Sequence, residues 1–230
     1  MSCLRILVSG ISGGIGAAFV ARARSHPDWE VIGLARAPNG HAITFDAAWP
    51  NDRIAAAIEA IDGADALVCL HGADIVSPPL RQASYLDRLE ALYRVDLAGT
   101  VKLIRAVLPK MKRGGVILVM GWDQAGTGMA GESAELYALT KGALTSYAKS
   151  LAATLEGQAL VYVVAPGWVL TRWGETLSSE SRKRLAGRTR SGRWQTPDQV
   201  AQVLESLLIR PGDYASGEVV YVDRGADVTG

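Results

Sequence analysis

Tyr137 and Lys141, in the run "YALTK", stand four residues apart, a spacing that puts a phenol and an ammonium on one face of a helix. A phenol ordinarily titrates near 10. To act as an acid or base at neutral pH, its anion needs stabilising by about 2–3 pH units, roughly 3–4 kcal/mol. An ammonium one turn away is one source of that field. A second chemical pattern comes earlier, where "SGISGGIG" (Ser9 to Gly16) puts four glycines into eight residues directly after the apolar run "LRILV". Between a strand and a helix, such glycines let the chain turn tightly, approach a pyrophosphate closely and aim helix N-terminal amides at its charge. Each pattern alone is compatible with ordinary structure, a solvated helix face or a ligand-free turn. Together they point to a dinucleotide held beside a proton donor.

The elements that must position these groups are legible as alternating runs. Short β-rich stretches lie at Arg5–Ser9, Glu30–Ala35, Ala42–Phe45, Ala66–Leu70, Val116–Met120, Leu160–Ala165 and Val219–Asp223. Helical patterns lie at Ile15–Ser25, Asp52–Ile61, Tyr85–Leu108, Leu136–Leu155 and Pro197–Leu208. Several strands are apolar throughout, as expected where both faces of a parallel sheet are covered. The alternation predicts an α/β fold, a Rossmann-type doubly wound parallel sheet in one domain over residues 1–230. Thr196 before Pro197 reads as an N-cap followed by a first-turn proline. Only about seven residues, "RAPNGHA", separate the second and third strands, too few for the dozen or so of a helical crossover, so a loop is expected there.

With these runs in place, the motifs resemble those of the short-chain dehydrogenase/reductase family in order and spacing over nearly the whole chain. Gly10, Gly14 and Gly16 match its TGxxxGxG loop, with Ser9 in place of the threonine, and Tyr137 and Lys141 match its YxxxK. "APGWVLT" resembles its PG motif, with Pro166, Gly167 and Thr171, and "YVDRG" its terminal strand and turn. The resemblance implies that Tyr137 protonates a carbonyl oxygen as hydride arrives from the nicotinamide, and that Lys141 also holds the cofactor ribose. It assigns cofactor contacts to Ser9, Gly10, Ser12, Gly14, Ile15, Gly16, Asp46, Gly72, Lys141, Pro166, Gly167 and Thr171. Three departures stand out. About thirteen residues before the tyrosine, where the family has its catalytic serine, this chain reads "MGWDQAGTG". Gln124 offers an amide donor, Trp122 an indole N–H and Ser133 a hydroxyl, whereas ionised Asp123 only accepts; Gln124 is the preferred replacement. Asp96, in "VDLAGT", replaces an asparagine whose backbone carbonyl helps hold a water near the lysine; an aspartate preserves that geometry and alters the local charge, unless it simply pairs with Lys102. "CLHGAD" stands where NNAG is usual, keeping Gly72 and adding His71, which reads as a packed loop histidine.

The second strand ends in Arg36, where a carboxylate would favour unphosphorylated ribose; a guanidinium suits a 2′-phosphate. NADP(H) is therefore the expected cofactor, with NAD(H) the other candidate. Arg172 to Arg193 carries seven basic and two acidic residues within the segment, about 168–195, that the family uses as a substrate lid, so an anionic or carrier-bound small-molecule substrate is a candidate. Trp122, Trp168, Trp173 and Trp194 cluster near the motifs, and Trp122, Trp168 and Trp173 are expected to wall a substrate pocket.

Bulk properties restrict the alternatives. A formal charge of +1 over 230 residues gives no global reason for nucleic-acid binding, and no run approaches a membrane span. Cys3 and Cys69 have no metal-ligand or CxxC spacing, no metal site is expected, and Arg5 interrupts the first apolar run in place of a secretory leader. A cytoplasmic location follows as the expectation. By resemblance the chain forms a homodimer or homotetramer, the tyrosine-bearing helix packing on its copy through Ala138, Gly142, Ala148 and Ala152. The expected activity is NADPH-dependent reduction of a ketone, with 3-oxoacyl thioesters as candidates. The missing serine and short second crossover also resemble dihydropteridine reductase, making C=N reduction the alternative, and a non-catalytic dinucleotide sensor is the third.

Overall fold

The computed structural model describes residues 3–37, 42–188 and 192–222. Seven strands, β1 (Leu4–Ser9), β2 (Trp29–Ala35), β3 (Ile43–Thr44), β4 (Ala64–Cys69), β5 (Met111–Met120), β6 (Ala159–Ala165) and β7 (Val219–Tyr221), pair in parallel in the order β3-β2-β1-β4-β5-β6-β7. Their apolar residues alternate between two cores. Leu7, Leu67, Ile117 and Val161 face a layer of α2 (Asn51–Glu59), α4 (Gly99–Val107) and α5 (Glu132–Thr154). Ile6, Val8, Val68 and Leu118 face α1 (Gly14–Ala23) and α8 (Pro197–Ile209). The central strands are therefore buried on both faces, which is why they read as unbroken apolar runs.

The expected helix over 85–108 winds as three segments: α3 (Tyr85–Leu92), a π-helical stretch (Tyr93–Ala98) and α4. Gly99 lets this stretch approach the turn after β3, since a Cβ there would lie 2.6 Å from that of Ala47. β5 starts at Met111, five residues before the expected Val116, and its register with β4 is irregular between Ala64 and Ala66. The third strand is two residues rather than four, and no helix separates it from β2 among the described residues. α8 carries a complete capping box, the Thr196 side chain accepting from Gln199 N and the Gln199 side chain from Thr196 N, with Pro197 following. Asp223 and the rest of "DRG" lie outside the described residues.

Strand order reverses between β1 and β4, so the chain leaves the carboxyl ends of these neighbours in opposite directions and opens a crevice there. The loop Ser9–Gly16 borders it on one side and Leu70–Asp74 on the other. The ends of β5 and β6 carry the "MGWDQ" turn and the PG segment, and α6 (Arg172–Thr176) and α7 (Ser179–Ala186) follow within the stretch expected to form the lid.

Candidate active site

The glycines of the first loop are required by close approach. Gly10 has φ +76°, and a Cβ on it would lie 2.6 Å from Leu70 C and His71 N. A Cβ on Gly16 would lie 2.2 Å from the Gly10 carbonyl oxygen, which locks α1 against the turn. Gly14 meets the PG segment, 3.1 Å from Thr171 Cγ2 by the same construction. α1 has Gly13 at its N-cap, with no side-chain cap and no acidic residue in its first turn, and Ser12, Gly13 and Gly14 are exposed. An open, acid-free helix N-terminus behind bare backbone fits a pyrophosphate. Ile15 packs into the core beside the sheet.

Ser9 lies under this loop, fully buried. Its Oγ is 2.6 Å from His71 Nδ1, and Thr100 Oγ1 is 3.2 Å from His71 Nε2, so the imidazole joins the ends of β1 and β4 to α4. Phe45 packs edge-on against the ring at 5.6 Å. Burial pushes the imidazole down to about 4, with Lys141 adding to the effect and Asp96 opposing it. His71 is thus a packed, neutral histidine, as its sequence context predicts, and the Ser9 hydroxyl supports the loop from below.

Tyr137 and Lys141 lie on α5, and the four-residue spacing works as predicted only in part. Lys141 Nζ is 2.8 Å from Asp96 Oδ2, with side-chain exposures of 9% and 2%. The other carboxylate oxygen of Asp96 accepts from Ala73 N at 2.7 Å, and the Tyr137 hydroxyl donates to the Ala73 carbonyl at 3.5 Å, the outer limit of a hydrogen bond. The tyrosine is not eased toward its anion. Burial above all, then the Asp96 and Asp74 carboxylates, push the phenol above its ordinary value, against smaller opposing effects of Arg88 and an Ile75 backbone hydrogen bond. Lys141, expected as one source of positive field, has its charge met by Asp96 in this structure. Lys102 instead reaches the Trp49 carbonyl at 2.5 Å. Gly72 sits directly above, where a Cβ would be 3.2 Å from Asp96 Oδ2.

At the serine-free turn, Gln124 Oε1 accepts from the Thr127 hydroxyl at 3.1 Å, which leaves the amide N–H groups as its donating end. The Trp122 ring lies 6.2 Å from that of Tyr137. Ser133 is engaged elsewhere, its Oγ accepting from Arg88 Nη2 while Arg88 Nη1 bonds Glu132 at 3.2 Å. Sequence reasoning missed Arg88, whose side chain is 8% exposed. Its position four residues before Leu92, on the buried face of "YLDRLEAL", was the available clue.

Around the PG segment, Pro166 is buried and its carbonyl accepts from Asp123 N at 3.0 Å, while Gly167 N donates to Gln195 Oε1 at 3.0 Å. Buried Gln195 also pairs through its backbone with Trp168 and Leu170, joining the two ends of the 168–195 segment to each other. Trp168, Trp173 and Trp194 pack together with ring centroids 5.3–5.9 Å apart. The ring contacts thus divide the tryptophans: Trp168, Trp173 and Trp194 pack on one another, and Trp122 packs on Tyr137. Arg36 is exposed in the bend after β2, and Asp46 Oδ1 accepts from Ala48 N at 2.9 Å.

Comparison with known proteins agrees with this geometry. The family model described as enoyl-(acyl carrier protein) reductase matches residues 14–227. The 3-oxoacyl-[acyl-carrier-protein] reductase FabG of Aquifex aeolicus is 33% identical over 168 residues, covering 72% of this chain and 66% of that protein. The Salmonella typhimurium enzyme of the same name is 27% identical over 95% of both. Among solved structures, ligand-free Thermoplasma acidophilum aldohexose dehydrogenase shares the fold with TM-score 0.81 at 21% identity, over 96% of this chain and 92% of that one. BdcA in complex with NADPH does so with TM-score 0.80 at 22% identity, over 96% and 93%. A glycine loop at the strand-order reversal, a tyrosine and lysine one turn apart across the crevice, and a family match over almost the entire length have one common explanation: this chain belongs to the short-chain dehydrogenase/reductase family of NAD(P)-binding oxidoreductases.

Proposed function

We propose that the protein is an NADPH-dependent reductase of a ketone, with 3-oxoacyl thioesters the first substrates to test. The observation that carries this reading is Tyr137 with Lys141 on α5, the first bonded to Ala73 directly and the second through Asp96, Ala73 lying in the loop that borders the crevice opposite the glycine loop and the uncapped N-terminus of α1. The nicotinamide, when bound, supplies the hydride. Tyr137 donates its hydroxyl proton to the carbonyl oxygen, and the Gln124 amide, oriented by Thr127, donates a hydrogen bond to the same oxygen in place of the family serine. Backbone amides of the glycine loop and α1 hold the pyrophosphate, Lys141 holds the ribose, Asp46 and Gly72 border the adenosine half, and Arg36 reads the 2′-phosphate. Supporting the acyl-thioester class are the 3-oxoacyl-[acyl-carrier-protein] reductase activity for which the two FabG relatives are named and the basic residues Arg172, Arg182, Lys183 and Arg184 on α6 and α7.

C=N reduction is the second reading, favoured by the absence of a serine hydroxyl at Gln124. The two separate in one assay, loss of reduced nicotinamide with 3-oxoacyl thioesters and simple ketones against cyclic imines and quinonoid pterins. Turnover confined to the C=N compounds overturns the ketone reading. Tight cofactor binding with no turnover of either class favours a sensor.

For assembly, the reading is a homodimer or homotetramer. Leu86, Tyr93 and Leu139, exposed at 71, 52 and 55%, lie on α3, the π-helical stretch and α5, and offer an apolar contact for a second copy. Ala148 and Ala152 are buried in the protein's own core and leave that contact to the Leu139 side of α5. Light scattering of the purified protein tests it; a monomer at micromolar concentration contradicts it.

A further inference from the structure

Asp96 is the one buried residue of the π-helical stretch Tyr93–Ala98, and π-turns within helices are concentrated at functional sites. Its carboxylate makes a two-sided contact, one oxygen 2.8 Å from Lys141 Nζ and the other 2.7 Å from Ala73 N. Ala73 in turn receives the Tyr137 hydroxyl through its carbonyl. One carboxylate thus neutralises the lysine and fixes the residue against which the phenol rests. We infer that Asp96 is a positioning residue that holds Lys141 as a buried ion pair and thereby keeps Tyr137 in its proton-donating form, so that the site favours reduction and displaces alcohol oxidation to more alkaline solution.

The charges facing Tyr137 from each packed element agree with this. Burial is the largest influence holding the phenol protonated, and Asp96 from the π-helical stretch and then Asp74 from the loop after β4 add to it, both disfavouring the phenolate. Arg88 faces it from α3 and is partly offset by its contact with Glu132. On α5 itself, Lys141 is paired with Asp96, and the neighbouring His71 is neutral above about pH 4. Reduction consumes a phenol proton and alcohol oxidation requires the phenolate, so a site that holds the phenol protonated retains its donor through the neutral range and acquires its base only in alkali.

The consequence for turnover rests on the carbonyl-reduction reading, but the first test needs neither substrate nor cofactor. Protein labelled with carbon-13 at the tyrosine ζ position is titrated by NMR, the Tyr137 resonance being assigned by its loss in Tyr137→Phe. In the wild type, Tyr137 stays protonated through the range near 10 where exposed tyrosines ionise. In Asp96→Asn, which can keep the hydrogen bond to Ala73, its midpoint falls by at least about one pH unit, as expected for removal of a nearby charge at an effective dielectric near 20. The alkaline limb of alcohol oxidation moves by the same amount. Ionisation of wild-type Tyr137 at or below the ordinary value, or an unmoved midpoint in folded Asp96→Asn, overturns the inference. Should that variant not fold, Asp96→Ser, which also removes the charge, takes its place with the same expected fall, while wild-type ionisation at or below the ordinary value overturns the inference by itself. Failure to turn over any ketone or alcohol would count against the functional reading and leave the titration standing as the test of Asp96.

Discussion

Replacing Gly16 with alanine tests whether the first loop is shaped by close backbone approach. The new Cβ would stand 2.2 Å from the Gly10 carbonyl oxygen and 2.9 Å from Gly10 C and Ile11 Cα, all main-chain atoms that cannot rotate aside. Relief requires the turn and α1 to separate by about 1 Å, and overpacking of this kind costs about 1–3 kcal/mol, with so short a contact at the upper end. Alanine returns about 1 kcal/mol of helix propensity, so the net loss is about 2 kcal/mol. For a chain of this length that is about 4–8 °C in Tm. The displaced turn is the one that faces the pyrophosphate, so NADPH affinity falls at least about tenfold, about 1.4 kcal/mol. Gly13→Ala is the stability control, its Cβ meeting nothing nearer than 3.4 Å, and shifts Tm by less than about 2 °C. Thermal unfolding and fluorescence titration of both variants give the answer. A Gly16→Ala protein with wild-type Tm and affinity would refute the packing account of the loop.

The half-buried, hydrogen-bonded imidazole of His71 makes stability pH-dependent. Unfolded His71, near 6.5, takes a proton before the folded residue, near 4, so its contribution is complete above about pH 6.5 and is lost as pH falls toward 4, up to about 3 kcal/mol. Denaturant unfolding between pH 7 and 5 measures this, and an equally steep slope in His71→Gln would contradict it. Cys3 is exposed whereas Cys69 is buried, its thiol pushed up to about 12 by burial. A thiol reagent therefore modifies one cysteine in the native protein and both after denaturation; two fast-reacting thiols in the native protein would be the contrary result. Trp194 donates its indole N–H to the Arg182 carbonyl at 2.9 Å and completes the aromatic cluster. Trp194→Ala loosens α7, which appears as faster tryptic cleavage after Arg182, Lys183 and Arg184, with cofactor affinity within about threefold of wild type; unchanged cleavage would show that the cluster does not hold the lid.

What could be read in the sequence was local. The glycine spacing, the Thr196–Pro197 cap and the tyrosine–lysine pair are patterns within one turn or one helix, and each took its predicted conformation. The apolar strands were equally legible because burial on both faces leaves unbroken runs, whereas "MKRGG" at the start of β5 reads as a loop through its charges and glycines. The partner of Asp96 was not legible. It lies 45 positions away, and the pairing depends on a π-helical winding for which "YRVDLA" offers no recognisable pattern. Arg88 was hidden differently, since an arginine in an amphipathic helix is usually solvated, and only its register with Leu92 marks the buried side. That Trp168, Trp173 and Trp194 pack on one another while Trp122 packs on Tyr137 is a matter of tertiary packing, which their positions along the chain do not reveal.

The central claim, that Tyr137 gives the proton in a cofactor-dependent reduction, is tested most directly by Tyr137→Phe, which keeps the ring and removes the hydroxyl. NADPH and NADH are titrated into both proteins, and turnover is then measured on the same samples with the best substrate of the ketone panel. The account predicts NADPH affinity within about threefold of wild type and turnover reduced at least about a hundredfold. A phenylalanine variant that binds NADPH and reduces the ketone at the wild-type rate would contradict it.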